Sequence, residues 1–159
     1  GFAHEKDEEG RWKLNHPMNK DHVRGAFKAY SKSCFEAIGG LKHAMGWDTV
    51  DELLARYHDY EIHTDPKLKV KHLRPTGKAY DQKAKLLQGK AMYTMRYGYW
   101  ITFIASVKMA LKQRKTNIFF DSMEGFLTAR RNKESFLVSQ EEGNFIRNLR
   151  WHNMRKKLS

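Results

Sequence analysis

The sequence predicts an α+β chain dominated by helix, and three observations lead there. Short stretches that alternate polar and apolar residues fall before residue 77, and long stretches with helical spacing fall after it. The third is composition: 159 residues, 40% hydrophobic and 13% aromatic, suit a packed domain with a modest core rather than a disordered chain. The expected architecture is a short antiparallel or mixed sheet followed by a helical tail, with residues 1–21 as a polar lead-in.

Taken in order, residues 1–22 are polar, contain Pro17 and read as loop. Residues 25–30 alternate as a strand does. Residues 31–38 suit a short helix capped by Ser31 or Ser33 and stopped by Gly39-Gly40. Asp48 or Thr49 can cap a helix running to about Tyr57, with Val50, Leu53, Leu54 and Tyr57 on one face and Asp51 and Glu52 in its first turn. Residues 60–64 and 68–72 are strand candidates either side of the turn signal Asp65-Pro66, and His72 falls on the inward face of the second. Helices are expected over 78–95, 97–112 and 117–131. A last one opens at Ser139, where Glu142 completes a capping box and Phe145, Ile146 and Leu149 form the apolar side.

The net charge of +12 calls for an anionic partner, whether nucleic acid, a lipid surface or a phosphorylated substrate. No helix-turn-helix, zinc-finger or RNP pattern is present, so nucleic acid is not expected. Basic residues crowd 67–96, and the aromatics Tyr93, Tyr97, Tyr99 and Trp100 lead into Ile101-Thr102-Phe103-Ile104, the pattern of a segment that rests on a membrane interface. The apolar run 97–111 is interrupted by Lys108 and is too short to span a bilayer. The single cysteine, Cys34, has no disulfide partner within the chain and reads as a small buried residue. The charged start lacks the apolar core of a signal peptide, and it also lacks an initiator Met, as expected of a fragment or a trimmed chain.

Chemistry concentrates in residues 46–77. Three carboxylates, Asp48, Asp51 and Glu52, lie within five residues, next to Trp47, whose ring suits stacking on a sugar. Helix capping accounts for such a cluster, and so does a general base beside a phosphate-binding group. His72 and Arg74 follow, with Pro75, Thr76 and Gly77 beyond them. An inward imidazole is commonly a hydrogen-bonded core group, but a guanidinium two residues on suits bidentate phosphate recognition.

The run Arg24-Gly25-Ala26-Phe27-Lys28-Ala29-Tyr30, then Phe35-Glu36-Ala37-Ile38-Gly39-Gly40-Leu41, Gly46-Trp47-Asp48 and finally Val70-Lys71-His72, resembles the carboxyl-terminal part of family 2 glycosyltransferases, inverting enzymes of the GT-A fold. The resemblance covers residues 22–77 and extends more loosely through 78–159, which look like the accessory region of bacterial enzymes acting on membrane-linked glycans. It implies the acceptor-side half of a GT-A domain. The activity implied is transfer of a sugar from a nucleotide sugar to a glycan or lipid-linked acceptor, in cell-surface polysaccharide biosynthesis. Asp48 matches the base that deprotonates the acceptor. The family commonly has Glu-Asp where this chain has Trp47-Asp48, and Asp51 comes three residues on where a second acid is usual at two, so Asp51 competes for the role. His72 matches a ligand of the divalent metal, Mn or Mg, and Arg74 a clamp on the diphosphate. Gly25, Lys28 and Trp47 fall on the acceptor side.

No Asp-x-Asp motif occurs in the chain. The nucleotide-binding half is therefore expected upstream of Gly1, and the fragment alone is expected to be inactive. The expected location is the cytoplasmic, inner face of the plasma membrane, with peripheral contact through 93–115.

Overall fold

The computed structural model describes residues 2–7, 9–14, 23, 28–65, 67–71, 73 and 82–156. The chain is α+β and mostly helical, and it divides into two compact units. One comprises Gly1–Leu41 with Trp47–Ala79, the other Lys42–Gly46 with Tyr80–Ser159.

The first unit contains a mixed sheet of three strands, β1 (Phe2–Lys6), β2 (Trp12–Leu14) and β3 (Lys69–Lys71), in the order β2-β1-β3. The β1–β2 pair is antiparallel, Lys6 facing Trp12, and β1–β3 is parallel, His4 facing Lys71. The hairpin turn is built by Asp7, whose Oδ1 accepts from the N–H groups of Glu9 and Arg11 at 3.1 and 2.8 Å. Gly10 supplies the positive φ of 79° that the turn requires. Residues 1–22 read as loop because these strands are short and carry charges on both faces. The Lys6 and Lys71 ammoniums instead approach the Trp12 ring, at 5.6 and 5.2 Å from its centroid.

α1 (Lys32–Ala37) forms where it was expected. The Ser31 hydroxyl accepts from the Cys34 N–H, and the N–H groups of Gly39 and Gly40, both at positive φ, satisfy the carbonyls of Glu36 and Phe35. α2 (Trp47–Tyr57) begins one residue before the expected cap, following Gly46 at φ 81°. Asp48 is therefore in its first turn, while Asp51 and Glu52 move to the second. The inward face holds Val50, Asp51, Leu53, Leu54 and Ala55. Residues 60–65 form no strand despite their alternation. Asp59 leaves α2 at φ 61°, and the segment that follows has no ladder partner among the described residues. β3 is the shorter outcome of the strand expected over 68–72: Leu68 is exposed and His72 lies outside the described residues. The expected strand at 25–30 also lies largely outside them, and Lys28–Tyr30 is irregular.

The second unit packs four helices, α3 (Gln82–Thr94), α4 (Gly98–Gln113), α5 (Asn117–Arg131) and α6 (Gln140–Arg155), close to the expected spans. α6 opens on the expected box: Ser139 Oγ accepts from the Glu142 N–H at 3.2 Å, and Glu142 Oε2 accepts from the Ser139 N–H at 2.5 Å. Ala91, Met92, Ile101, Met123, Phe126 and Ile146 form the core. α3 and α5 touch backbone to backbone: a Cβ on Gly89 would sit 1.8 Å from the Ser122 carbonyl oxygen, and one on Gly125 2.0 Å from that of Leu86. Among the described residues no helix is long and apolar enough to cross a membrane.

Candidate functional site

The first unit brings the irregular Lys28–Tyr30 segment against the start of α2, where Lys28 and Tyr30 both reach Asp51. The Lys28 ammonium donates to Asp51 Oδ1 at 2.8 Å, lies 3.0 Å from Glu52 Oε1, and also donates to the Asp48 carbonyl. Its Nζ lies 5.9 Å from the centroid of the Trp47 ring. The Tyr30 hydroxyl donates to Asp51 Oδ2. The Asp51 Oδ1 accepts in addition from the Glu52 N–H at 2.6 Å, and Glu52 Oε1 from the Val23 N–H at 2.8 Å.

The cluster is largely buried, with side-chain exposures of 5% for Lys28, 2% for Asp51 and 12% for Glu52. Buried charges persist only when paired and hydrogen-bonded, and one ammonium here serves two carboxylates. Burial, then the hydrogen bond to Asp51, push the Tyr30 hydroxyl well above the ordinary tyrosine value, so Tyr30 remains a donor. Burial, with Asp51 nearby, also raises the Cys34 thiol and keeps it from becoming a thiolate nucleophile. Beside the cluster lies a cavity of about 370 Å³, walled by Lys28, Tyr30, Asp51 and Glu52 and by Tyr60 and His63 of the irregular segment.

Asp48 and Asp51 therefore have opposite surroundings. Every Asp51 oxygen is engaged. The Asp48 carboxylate, half-buried in the first turn of α2 where the helix dipole favours negative charge, has no hydrogen bond or ion pair among the described residues. Neither Asp48 nor Trp47 lines the cavity. Trp47 is half-buried with the Lys28 ammonium near its ring, so it is not a fully open stacking platform. Gly25, His72 and Arg74 lie outside the described residues.

The described residues do not build a metal site. No group of three or more His, Cys, Asp or Glu among them is placed to hold an ion, and the Lys28 ammonium occupies the position between Asp51 and Glu52 that a cation would take. Tyr30 and Glu52 were not singled out from the sequence as site residues. The spacing of Lys28 and Tyr30 in an expected strand was the available signal for Tyr30, and Glu52's place in the acidic cluster the signal for Glu52. No protein-family model, curated protein or solved structure matches the chain.

Proposed function

We propose that the chain is the acceptor-side, carboxyl-terminal part of an inverting family 2 glycosyltransferase of the GT-A fold, acting at the cytoplasmic face of the plasma membrane on a glycan or lipid-linked acceptor. The motif resemblance over 22–77 supports this reading, and one observation carries it further: among the described residues the Asp48 carboxylate has no hydrogen bond or ion pair, whereas its neighbour Asp51 is locked into an ion pair. A general base needs free lone pairs within reach of the proton it removes.

In the proposed reaction Asp48 takes the proton of the acceptor hydroxyl, whose oxygen attacks the anomeric carbon. The bond from that carbon to the nucleoside diphosphate breaks, and its electron pair leaves with the diphosphate, inverting the centre once. Arg74 is proposed to hold the leaving diphosphate, and His72 remains the proposed ligand of a Mn or Mg ion, which would supply charge neutralisation. Lys28 acts through structure, holding the α2 terminus by its bonds to Asp51, Glu52 and the Asp48 carbonyl. The acceptor-side role expected of it from the sequence thereby becomes one of positioning.

The test is sugar transfer by the complete reading frame with a panel of nucleotide sugars, comparing Asp48→Asn with Asp51→Asn. Asp48→Asn is expected to lower kcat by about 10²- to 10⁴-fold with an unchanged melting temperature. Asp51→Asn weakens the pairing of a buried ammonium and is expected to cost about 3 kcal/mol of stability. Full activity in Asp48→Asn, or no transfer from any nucleotide sugar, would sink the proposal.

A second reading, a basic helical module that binds an anionic membrane surface without chemistry, is favoured by the second unit. Residues 82–120 contain eight Lys and Arg and no Asp or Glu, and Trp100 and Leu111 are 67% and 73% exposed.

A further inference from the structure

The second unit holds a pocket of about 290 Å³ whose polar lining includes three arginines, Arg96, Arg130 and Arg147, and no carboxylate. Tyr93, Tyr99 and Phe136 are among its aromatic walls. Two of the guanidiniums are fixed by neutral acceptors. Arg96 donates through Nε to the Val138 carbonyl at 2.9 Å and through Nη1 to Gln140 Oε1 at 2.8 Å, while its plane stacks over the Phe136 ring at 3.6 Å from the centroid. Arg147 donates through Nη1 to the Arg96 carbonyl at 2.7 Å, and through Nη2 to Asn144 Oδ1. Arg130 is exposed, and no ion pair or side-chain hydrogen bond holds it among the described residues. Glu134 and Glu142 are committed elsewhere, the first to Lys90 at 2.8 Å and the second to its capping box, and the exposed Glu141 is not part of the lining.

Three guanidiniums on one cavity repel one another unless an anion joins them, and two of these are already locked in position, which removes most of the ordering cost of binding one. The start of α4 adds to the same field. Gly98 and Tyr99 line the pocket, and that helix terminus has neither a side-chain cap nor an acidic residue in its first turn. Tyr93 packs on Phe136 with centroids 5.0 Å apart, giving an apolar wall beside the charges. We propose that this pocket is a binding site for a phosphate-bearing ligand, the phosphoryl oxygens held by Arg96, Arg130 and Arg147 and the body of the ligand resting on the rings of Tyr93, Tyr99 and Phe136. All these residues belong to the helical unit, so the site stands whether or not the chain takes part in glycosyl transfer.

Two sources present the same chemistry, a soluble phosphate ester or a lipid headgroup, and titration of the 159-residue chain separates them. Inorganic pyrophosphate, followed by calorimetry, probes the first. Vesicles of phosphatidylcholine with and without phosphatidic acid probe the second. Arg130→Ala removes an exposed side chain and is expected to leave the circular dichroism spectrum unchanged, yet to weaken binding of one or both probes at least about tenfold. Lys32→Ala, which removes a cation 90% exposed on α1 of the first unit, is expected to change binding less than about twofold. Arg130 dependence with pyrophosphate assigns a soluble ligand, and dependence with vesicles alone assigns a headgroup. Failure of both probes to bind, or equal losses in Arg130→Ala and Lys32→Ala, overturns the proposal, the latter by reducing the pocket to diffuse basic charge.

Discussion

Asp51 shows how a side chain flagged for chemistry becomes structural through its neighbours. Two carboxylates three residues apart on one helix differ in surroundings once Lys28 and Tyr30 bond to the second alone. The sequence made Asp48, Asp51, Lys28 and Trp47 visible as candidates, but their different surroundings depend on a segment some twenty residues away in the chain, which no local pattern encodes. The Tyr30–Asp51 bond has a pH signature. Its folded-state pKa is raised above the unfolded value, so the stability it contributes is fully present below the ordinary tyrosine value of about 10 and is lost as pH rises through the raised folded value. Tyr30→Phe is accordingly expected to lower stability by about 1.5–3 kcal/mol near neutrality, the range for hydrogen bonds to charged groups. The gap between wild type and variant should narrow above pH of about 10. Melting temperatures of both proteins from pH 8 to 11 check this, and a gap that stays constant would show that Asp51 does not hold the Tyr30 hydroxyl protonated.

At the scale of elements, helices were legible wherever a cap and an apolar stripe coincided, as at Ser31 and Ser139. Strands were not. β1 and β2 are short and charged, and what defines them is the Asp7 turn and the neighbouring chain rather than alternation. Residues 60–65 alternate well but have no ladder partner among the described residues, since period two is necessary for a strand and does not supply one. The α3–α5 crossing was hidden for a different reason. Gly89 and Gly125 each lie inside a helix, where glycine reads as a weak spot, yet each admits a carbonyl oxygen of the other helix. Because the obstructing atoms are backbone, a methyl group cannot be accommodated by a rotamer change. Gly89→Ala and Gly125→Ala are expected to destabilise by about 3 kcal/mol or more, the upper end for overpacking. Gln88→Ala, exposed on the same helix, is expected to stay within about 0.5 kcal/mol of wild type. Urea unfolding of the three variants decides this, and wild-type stability in either glycine variant would refute the close crossing.

At the scale of the molecule, the net charge of +12 is legible from composition, but its distribution is not. Lys28 and Lys90 are neutralised by Asp51 with Glu52, and by Glu134. Residues 82–120, by contrast, carry their remaining cations without a single acid in the stretch. On α4 the positions Trp100, Ile104, Val107 and Leu111 fall on one helical stripe, exposed to 67%, 37% and 73% at Trp100, Ile104 and Leu111. Lys108, Lys112, Arg114 and Lys115 are exposed on or just beyond the same helix. An apolar stripe beside unneutralised cations matches the two attractions of an anionic bilayer surface, each basic residue there contributing about 1 kcal/mol at low salt. The chain is therefore expected to bind phosphatidylglycerol vesicles more tightly than phosphatidylcholine ones, and to be released as salt shortens the Debye length from about 10 Å at 0.1 M towards about 3 Å at 1 M. Trp100→Ala is expected to weaken partitioning about tenfold, the value of burying one large apolar side chain, and to abolish most of the blue shift in tryptophan emission on binding. Co-sedimentation and fluorescence titration measure both quantities. Binding that follows salt but ignores Trp100→Ala would leave only a diffuse electrostatic contact, and no preference for the anionic lipid would remove the membrane reading altogether.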